Sequence, residues 1–186
     1  MMLISVIDIS RPRGFTLIEM MLVLVVISVM ASMLAVSIGD NSQKLLDREA
    51  RRLQTSLQMV ADEAVMQGVE FSLAMGTDTT DETPGYQFLR LDTESLAWLP
   101  SVEKLLAFHP LDPNISLQVS LQGANDTEFE RQVERLQSLG KQQGPEPLLL
   151  LLSSGEMTPF IITLSHSELT NSVRLASDGV SGVERL

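Results

Sequence analysis

The side chain with the strongest chemical claim is a carboxylate at the mouth of an apolar run. Glu19 directly precedes residues 20–38, which are interrupted only by Ser28, Ser32 and Ser37. A glutamate carried into hydrocarbon costs about 2.5–3.5 kcal/mol on insertion scales, and an opposite charge or a function must offset it. The chemistry this predicts is charge pairing, not turnover. Arg11, Arg13, Gly14 and Phe15 stand just ahead of it, followed by Thr16-Leu17-Ile18.

No second constellation competes. His109 and His166 are far apart in sequence, and the chain has no cysteine to serve as nucleophile or metal ligand. Asp78, Asp81 and Glu82 crowd one polar loop without the spacing of an EF-hand, and Asp178 with Glu184 does not make a cation site. Asn114-Ile115-Ser116 and Asn125-Asp126-Thr127 match a glycosylation pattern that is common by chance. No catalytic residue, cofactor-binding residue or metal ligand is expected.

The elements that must position Glu19 follow from periodicity. Residues 20–38 form a helix of about 28 Å, close to the hydrocarbon thickness of a bilayer, and residues 15–17 lengthen it. Arg11 and Arg13 keep the preceding end in the cytoplasm, so the remainder crosses. No small-x-small cleavage site follows the run. Leu46, Ala50, Leu53, Leu57, Val60 and Ala64 then recur at alternating spacings of four and three, the stripe of a helix that continues to about Gln67. Gly39 and Asn41 loosen the join, and Gly68 stops the helix. The stripe fits either a coiled-coil seam or a helix covered by its own chain.

Past Gly68 the period becomes two. Ile115, Leu117, Val119 and Leu121 alternate with Ser116, Gln118, Ser120 and Gln122, a half-buried strand. Strands are also expected at 69–75, 86–92, 95–99, 160–164 and 172–176, with a hairpin turn at Asp92-Thr93-Glu94. Leu148 to Leu152 reads as a central strand covered on both faces, turned back into the 160–164 strand by Ser153-Ser154-Gly155-Glu156. Phe129, Val133 and Leu136 mark a short amphipathic helix on an excursion over 123–146. Residues 76–85 form a polar, exposed loop. Strands joined by short turns imply an antiparallel sheet or two packed sheets. One head of about 115 residues can bury its own core. From Val69 onward there are 17 Asp and Glu against 7 Lys and Arg, which argues against nucleic acid as a partner.

The stretch from Arg11 to the apolar run resembles the type III signal peptide of type IV pilins and type II secretion pseudopilins. In that family a membrane-embedded prepilin peptidase cuts after the glycine and the new first residue is methylated. Here the resemblance implies cleavage between Gly14 and Phe15, with Arg11 and Arg13 as the basic leader. The freed amine on Phe15, with an ordinary pKa of about 8, is largely protonated and lies one helical turn from Glu19. Glu19 can then face the amine of its own chain or that of a neighbouring subunit, and the family assigns it the intersubunit role. Gly85-Tyr86-Gln87-Phe88-Leu89-Arg90, Trp98-Leu99-Pro100 and Gly155-Glu156-Met157-Thr158-Pro159-Phe160 look like the H-type minor pseudopilins.

The resemblance implies an α+β, pilin-like fold: a long N-terminal helical spine, membrane-spanning in its first half, packed on an antiparallel β-sheet or β-sandwich head. Its divisions are a leader at 1–14, a transmembrane segment at 15–38, an amphipathic continuation at 39–67 and a periplasmic head at 68–186 with an insertion near 123–146. The implied function is that of a structural subunit of the periplasmic pseudopilus, which helps export folded proteins across the outer membrane. A minor type IV pilin, acting in pilus assembly or DNA uptake, is the other reading. Expected partners are other pseudopilins, both minor tip subunits and the major one, the prepilin peptidase and the inner-membrane secretion platform. The chain would sit in the inner membrane until extracted into the filament.

Overall fold

The structure, a computed structural model, describes residues 16–78, 82–101, 103, 105–123, 127–139 and 145–186, without the side chains of 32–40 and 127–130. Arg11, Arg13, Gly14 and Phe15 lie outside the described residues. Two compact units divide at Asp40 and Asn41. Helix α1 spans Leu17–Gln67 and belongs to both, so Gly39 and Asn41 do not interrupt it.

In the first unit every described side chain from Thr16 to Ala31 is exposed, from Leu17 at 79% to Val23 at 43%. Leu, Val, Ile and Met occupy all sides of the helix there, so it offers no single face to a protein core. Among the described residues no helix is long and apolar enough to cross a membrane.

In the second unit the apolar side chains of α1 gather into one stripe. Leu46, Ala50, Leu53, Leu57, Val60 and Ala64 are completely buried. The chain's own sheets cover them, which excludes the coiled-coil seam. Gly68 ends the helix at φ +65°, with its N–H and that of Val69 both reaching the Ala64 carbonyl, at 2.9 and 3.2 Å. A glycine accepts this left-handed conformation without steric cost.

Strands β1 (Phe71–Thr77), β2 (Pro84–Asp92), β3 (Ala97–Pro100), β4 (His109–Pro110) and β6 (Leu149–Leu151) form the first sheet. Its order is β3-β2-β1-β6, with β4 also paired to β2. Strand β4 approaches β2 at Gly85, where any Cβ would collide with the His109 carbonyl and the Phe108 ring. Strands β5 (Ile115–Leu121), β7 (Phe160–His166), β8 (Ser172–Ser177) and β9 (Glu184–Arg185) form the second sheet, in the order β5-β7-β8-β9. All pairings are antiparallel. The α1 stripe shares one core with Leu73, Phe88, Leu149 and Leu151 of the first sheet and Phe160, Ile162, Leu164 and Leu175 of the second.

Two expectations need correction. The leucine strand β6 is buried on both faces but ends its sheet instead of occupying the centre. Residues 156–158 line its free side: Thr158 N–H donates to the Leu150 carbonyl at 2.9 Å and Leu152 N–H to the Glu156 carbonyl at 2.8 Å. The turn at 153–156 does not return the chain into β7 as a hairpin, because β7 lies in the other sheet. Pro159, which has no N–H, marks the crossing, and its carbonyl accepts from Gln122 N–H at 2.8 Å as the second sheet begins.

The excursion between the sheets folds as helix α2, Thr127–Ser138. Val133 and Leu136 of this helix, with Leu139 just beyond it, pack on the outer face of the first sheet, against Ala74, Leu89, Leu91, Trp98, Leu150 and Leu152. Trp98 Nε1–H donates to the Leu136 carbonyl at 3.0 Å, and Gln137 Nε2–H to the Leu148 carbonyl at 2.9 Å. The first sheet therefore lies between α1 and α2.

Candidate functional site

Glu19 sits in the first turn of α1. Its N–H lies 3.0 Å from the Thr16 carbonyl and 3.3 Å from the Thr16 hydroxyl, so Thr16 caps the helix. Thr16-Leu17-Ile18-Glu19 has the residue types of a capping box, and the threonine half is present, its hydroxyl accepting the Glu19 N–H. The Glu19 carboxylate is exposed among exposed apolar neighbours. A helix N-terminus favours negative charge there by several tenths of a kcal/mol. The position leaves the carboxylate accessible to an external cation, while Arg11, Arg13, Gly14 and Phe15 fall outside the described residues.

Two ionisable groups of the head hold its turns. Asp178 accepts the N–H groups of Val180 and Ser181 at 2.9 and 2.7 Å and the Ser181 hydroxyl at 2.8 Å. These bonds hold its carboxyl down at about 2. Asp92 accepts the Ser95 N–H at 3.0 Å and the Ser95 hydroxyl, which lower its pKa and close the β2–β3 turn. Both are turn carboxylates with their lone pairs engaged. The two clefts they border, of about 320 and 340 Å³, are shallow. Among the described residues no group of three or more His, Cys, Asp or Glu converges on a metal position.

One polar junction escaped the sequence pattern. Glu49 of α1 lies 2.9 Å from His109 Nε2, and Tyr86 stacks edge-on against the imidazole with centroids 5.3 Å apart. Tyr86 is 2% exposed, and burial pushes its hydroxyl up to about 12. Glu49 flanks the apolar stripe, so this junction pins α1 to β2 and β4. Elsewhere Gln54 donates to the Val183 carbonyl at 3.0 Å, Ser42 to Glu168 at 2.8 Å, and Arg185 pairs with Asp47. His166 is buried, its Nδ1 accepting Glu168 N–H at 3.2 Å.

Two family models match the chain. Residues 9–35 match the prokaryotic N-terminal methylation motif and residues 49–179 match type II transport protein GspH. Type II secretion system protein H of Pseudomonas aeruginosa is 36% identical over 90% of this chain and 91% of its own length. The proteins of the same name from Aeromonas hydrophila and Vibrio cholerae are 28% and 27% identical, covering 85% and 83% of this chain and 83% of their own length in each case. A crystal structure of the minor pseudopilin EpsH of Vibrio cholerae superimposes with a TM-score of 0.55 at 22% identity, over 77% of this chain and 94% of that one. That structure supports the fold: a helix on two antiparallel sheets.

Proposed function

This chain belongs to the family of type II transport protein GspH, and from that membership we propose that it is a minor pseudopilin, a structural subunit of the type II secretion apparatus that helps export folded proteins across the outer membrane. The observation that carries this reading is the order of the two matched segments, a methylation motif over residues 9–35 ahead of a GspH head over 49–179. The relatives are named for secretion, which favours this reading over a minor type IV pilin.

Within that reading, prepilin peptidase removes residues 1–14 and Phe15 becomes the methylated first residue. The helix over 15–38 anchors the chain once through the inner membrane, and the head from 68 onward stands in the periplasm. Exposure of apolar side chains on all sides of residues 17–31 suits a lipid surrounding. Protonated Phe15 amine and Glu19 carboxylate neutralise one another across subunits in low dielectric, where an unpaired charge is costly. That pairing registers each chain beside the next as the filament grows. Partners are the minor and major pseudopilins and the inner-membrane platform. The role is assembly without turnover.

Deleting the gene tests the reading: secreted proteins should accumulate in the periplasm and the intact gene should restore export. Undiminished export in the deletion strain overturns it. Processing has its own test, since Gly14→Ala should retain the leader. Mass spectrometry finding a chain beginning at Phe15 in that variant counts against the cleavage assignment.

A further inference from the structure

Between Asn41 and Thr55 the exposed positions of α1 are Asn41, Lys44, Arg48, Arg51, Arg52 and Thr55, which include four cations and no carboxylate. The two carboxylates of this stretch, Asp47 and Glu49, are half-buried, and the head takes both. Arg185 of β9 pairs with Asp47, and His109 of β4 lies 2.9 Å from Glu49. Arg52 lies beside Tyr86. Lys44, Arg48 and Arg51 remain, at spacings of four and three, so they stack on one side of the helix over about 10 Å. Among the described residues no carboxylate pairs with any of the three.

This ridge has the opposite sign to the rest of the molecule. The chain carries a formal net charge of −11, and from Val69 onward 17 Asp and Glu stand against 7 Lys and Arg. Like charges one turn apart on a helix are mildly destabilising, and the acids nearest to these cations are drawn off to the head. Folding alone therefore gives no reason for the ridge, whereas an anionic surface alongside it does. A bilayer meets a spanning helix at one level, so cations that serve lipid headgroups gather at the end of the helix. These are spread along the axis on one side, which suits a protein surface running beside the helix.

Resting on the reading of this chain as a minor pseudopilin, we propose that the ridge of Lys44, Arg48 and Arg51 docks the acidic head of a neighbouring pseudopilin. The head of this chain shows the charge balance such a partner needs. Subunits anchored in one membrane stand the same way up. A helix face of one then meets a head face of the next in a heterologous contact, which leaves every anchor in place. Each exposed ion pair contributes little, while a row of them steers approach and fixes register. Water reaches the ridge, so salt screens the contact.

The test uses the full-length chain in cells that assemble the secretion apparatus. The photo-crosslinking residue p-benzoylphenylalanine in place of Thr55, exposed one turn beyond Arg51, should capture another pseudopilin, identified by mass spectrometry. Combining Arg48→Glu with Arg51→Glu should lower that capture about ten-fold. Combining Arg48→Lys with Arg51→Lys should keep it. In isolated membranes, raising salt from about 0.1 to about 1 M before illumination should imitate the reversal. Both arginines are exposed, so the melting curve of the head and the amount of chain in the membrane should stay as they were. Capture of lipid alone overturns the proposal. So does capture indifferent to the reversal, or a loss from the lysine pair as deep as from the glutamate pair. Normal export in the deletion strain overturns the minor-pseudopilin reading itself. If deletion blocks export while the charge-reversed chain is captured and exports as before, only the docking ridge falls.

Discussion

Residues 17–31 and 46–64 share one helix but distribute their apolar side chains in opposite ways. The earlier stretch is apolar on all sides and exposed throughout, whereas the later one confines its burial to a stripe, with Arg48, Arg51 and Asp62 facing water. The lesson concerns solvent. A helix that is apolar all round needs an apolar medium on every side, while a striped helix needs a cover on one side only, and the two sheets supply that cover. Glu19 stands at the head of the first kind of surface, and in an apolar medium it would need an opposite charge; Glu49, beside the buried stripe, has His109.

The strongest way to break this contrast is to place one charge in each stretch. Leu53→Asp puts a carboxylate into a completely buried position and should cost more than about 4 kcal/mol, abolishing the cooperative melting of the head. Leu24→Asp, at a position 62% exposed, should leave that melting unchanged and reduce recovery of the chain in membranes. Equal damage to the head from both would erase the distinction.

The next largest effect is alkaline. The hydroxyl of Tyr86 titrates at about 12 when folded against 10 when free, so the folded state holds its proton more tightly. Its contribution is complete below pH 10 and is lost as pH rises from 10 to about 12, amounting to about 3 kcal/mol across that window. Denaturant titrations at several pH values should show the loss, and Tyr86→Phe should remove it.

Trp98→Phe keeps the ring buried but deletes the N–H donated to Leu136, and should cost about 1 kcal/mol in the same assay. Smallest of all for the head is Glu19→Ala, expected within about 0.5 kcal/mol of the original. Co-purification with other pseudopilins should nevertheless fall. Unchanged co-purification with normal secretion would sink the pairing role of Glu19.

The α1 stripe was legible because its period repeats through Leu46, Ala50, Leu53, Leu57, Val60 and Ala64, and β5 because four apolar residues alternate with polar ones. Burial of β6 on both faces was also legible, since an unbroken leucine run leaves no polar side. Its place in the sheet was not, because residues 156–158 line it with backbone hydrogen bonds that leave no trace in side-chain pattern. Strands of two residues, β4 and β9, are too short to show a period. The turn at 153–156 looks like any hairpin turn, and only Pro159 hinted that the chain changes sheets. At the candidate site, Glu19 stood out as a carboxylate at the head of an apolar run, but the cap by which Thr16 accepts its N–H repeats with no period. The junction of Glu49, His109 and Tyr86 joins positions 49, 86 and 109, and no local spacing foretells it.

Helix α2 has an optical consequence. Trp98 is the only tryptophan in the chain, it is 3% exposed, and its indole N–H ends on the carbonyl of a residue in α2. The molecule thus carries its own fluorophore at the seam between the excursion and the first sheet. Lifting α2 would wet the indole and shift its emission to the red while the α1 core stayed closed. Excited at the red edge of the indole band, where Tyr86 does not absorb, steady-state emission can therefore report the seating of one short helix without any introduced label.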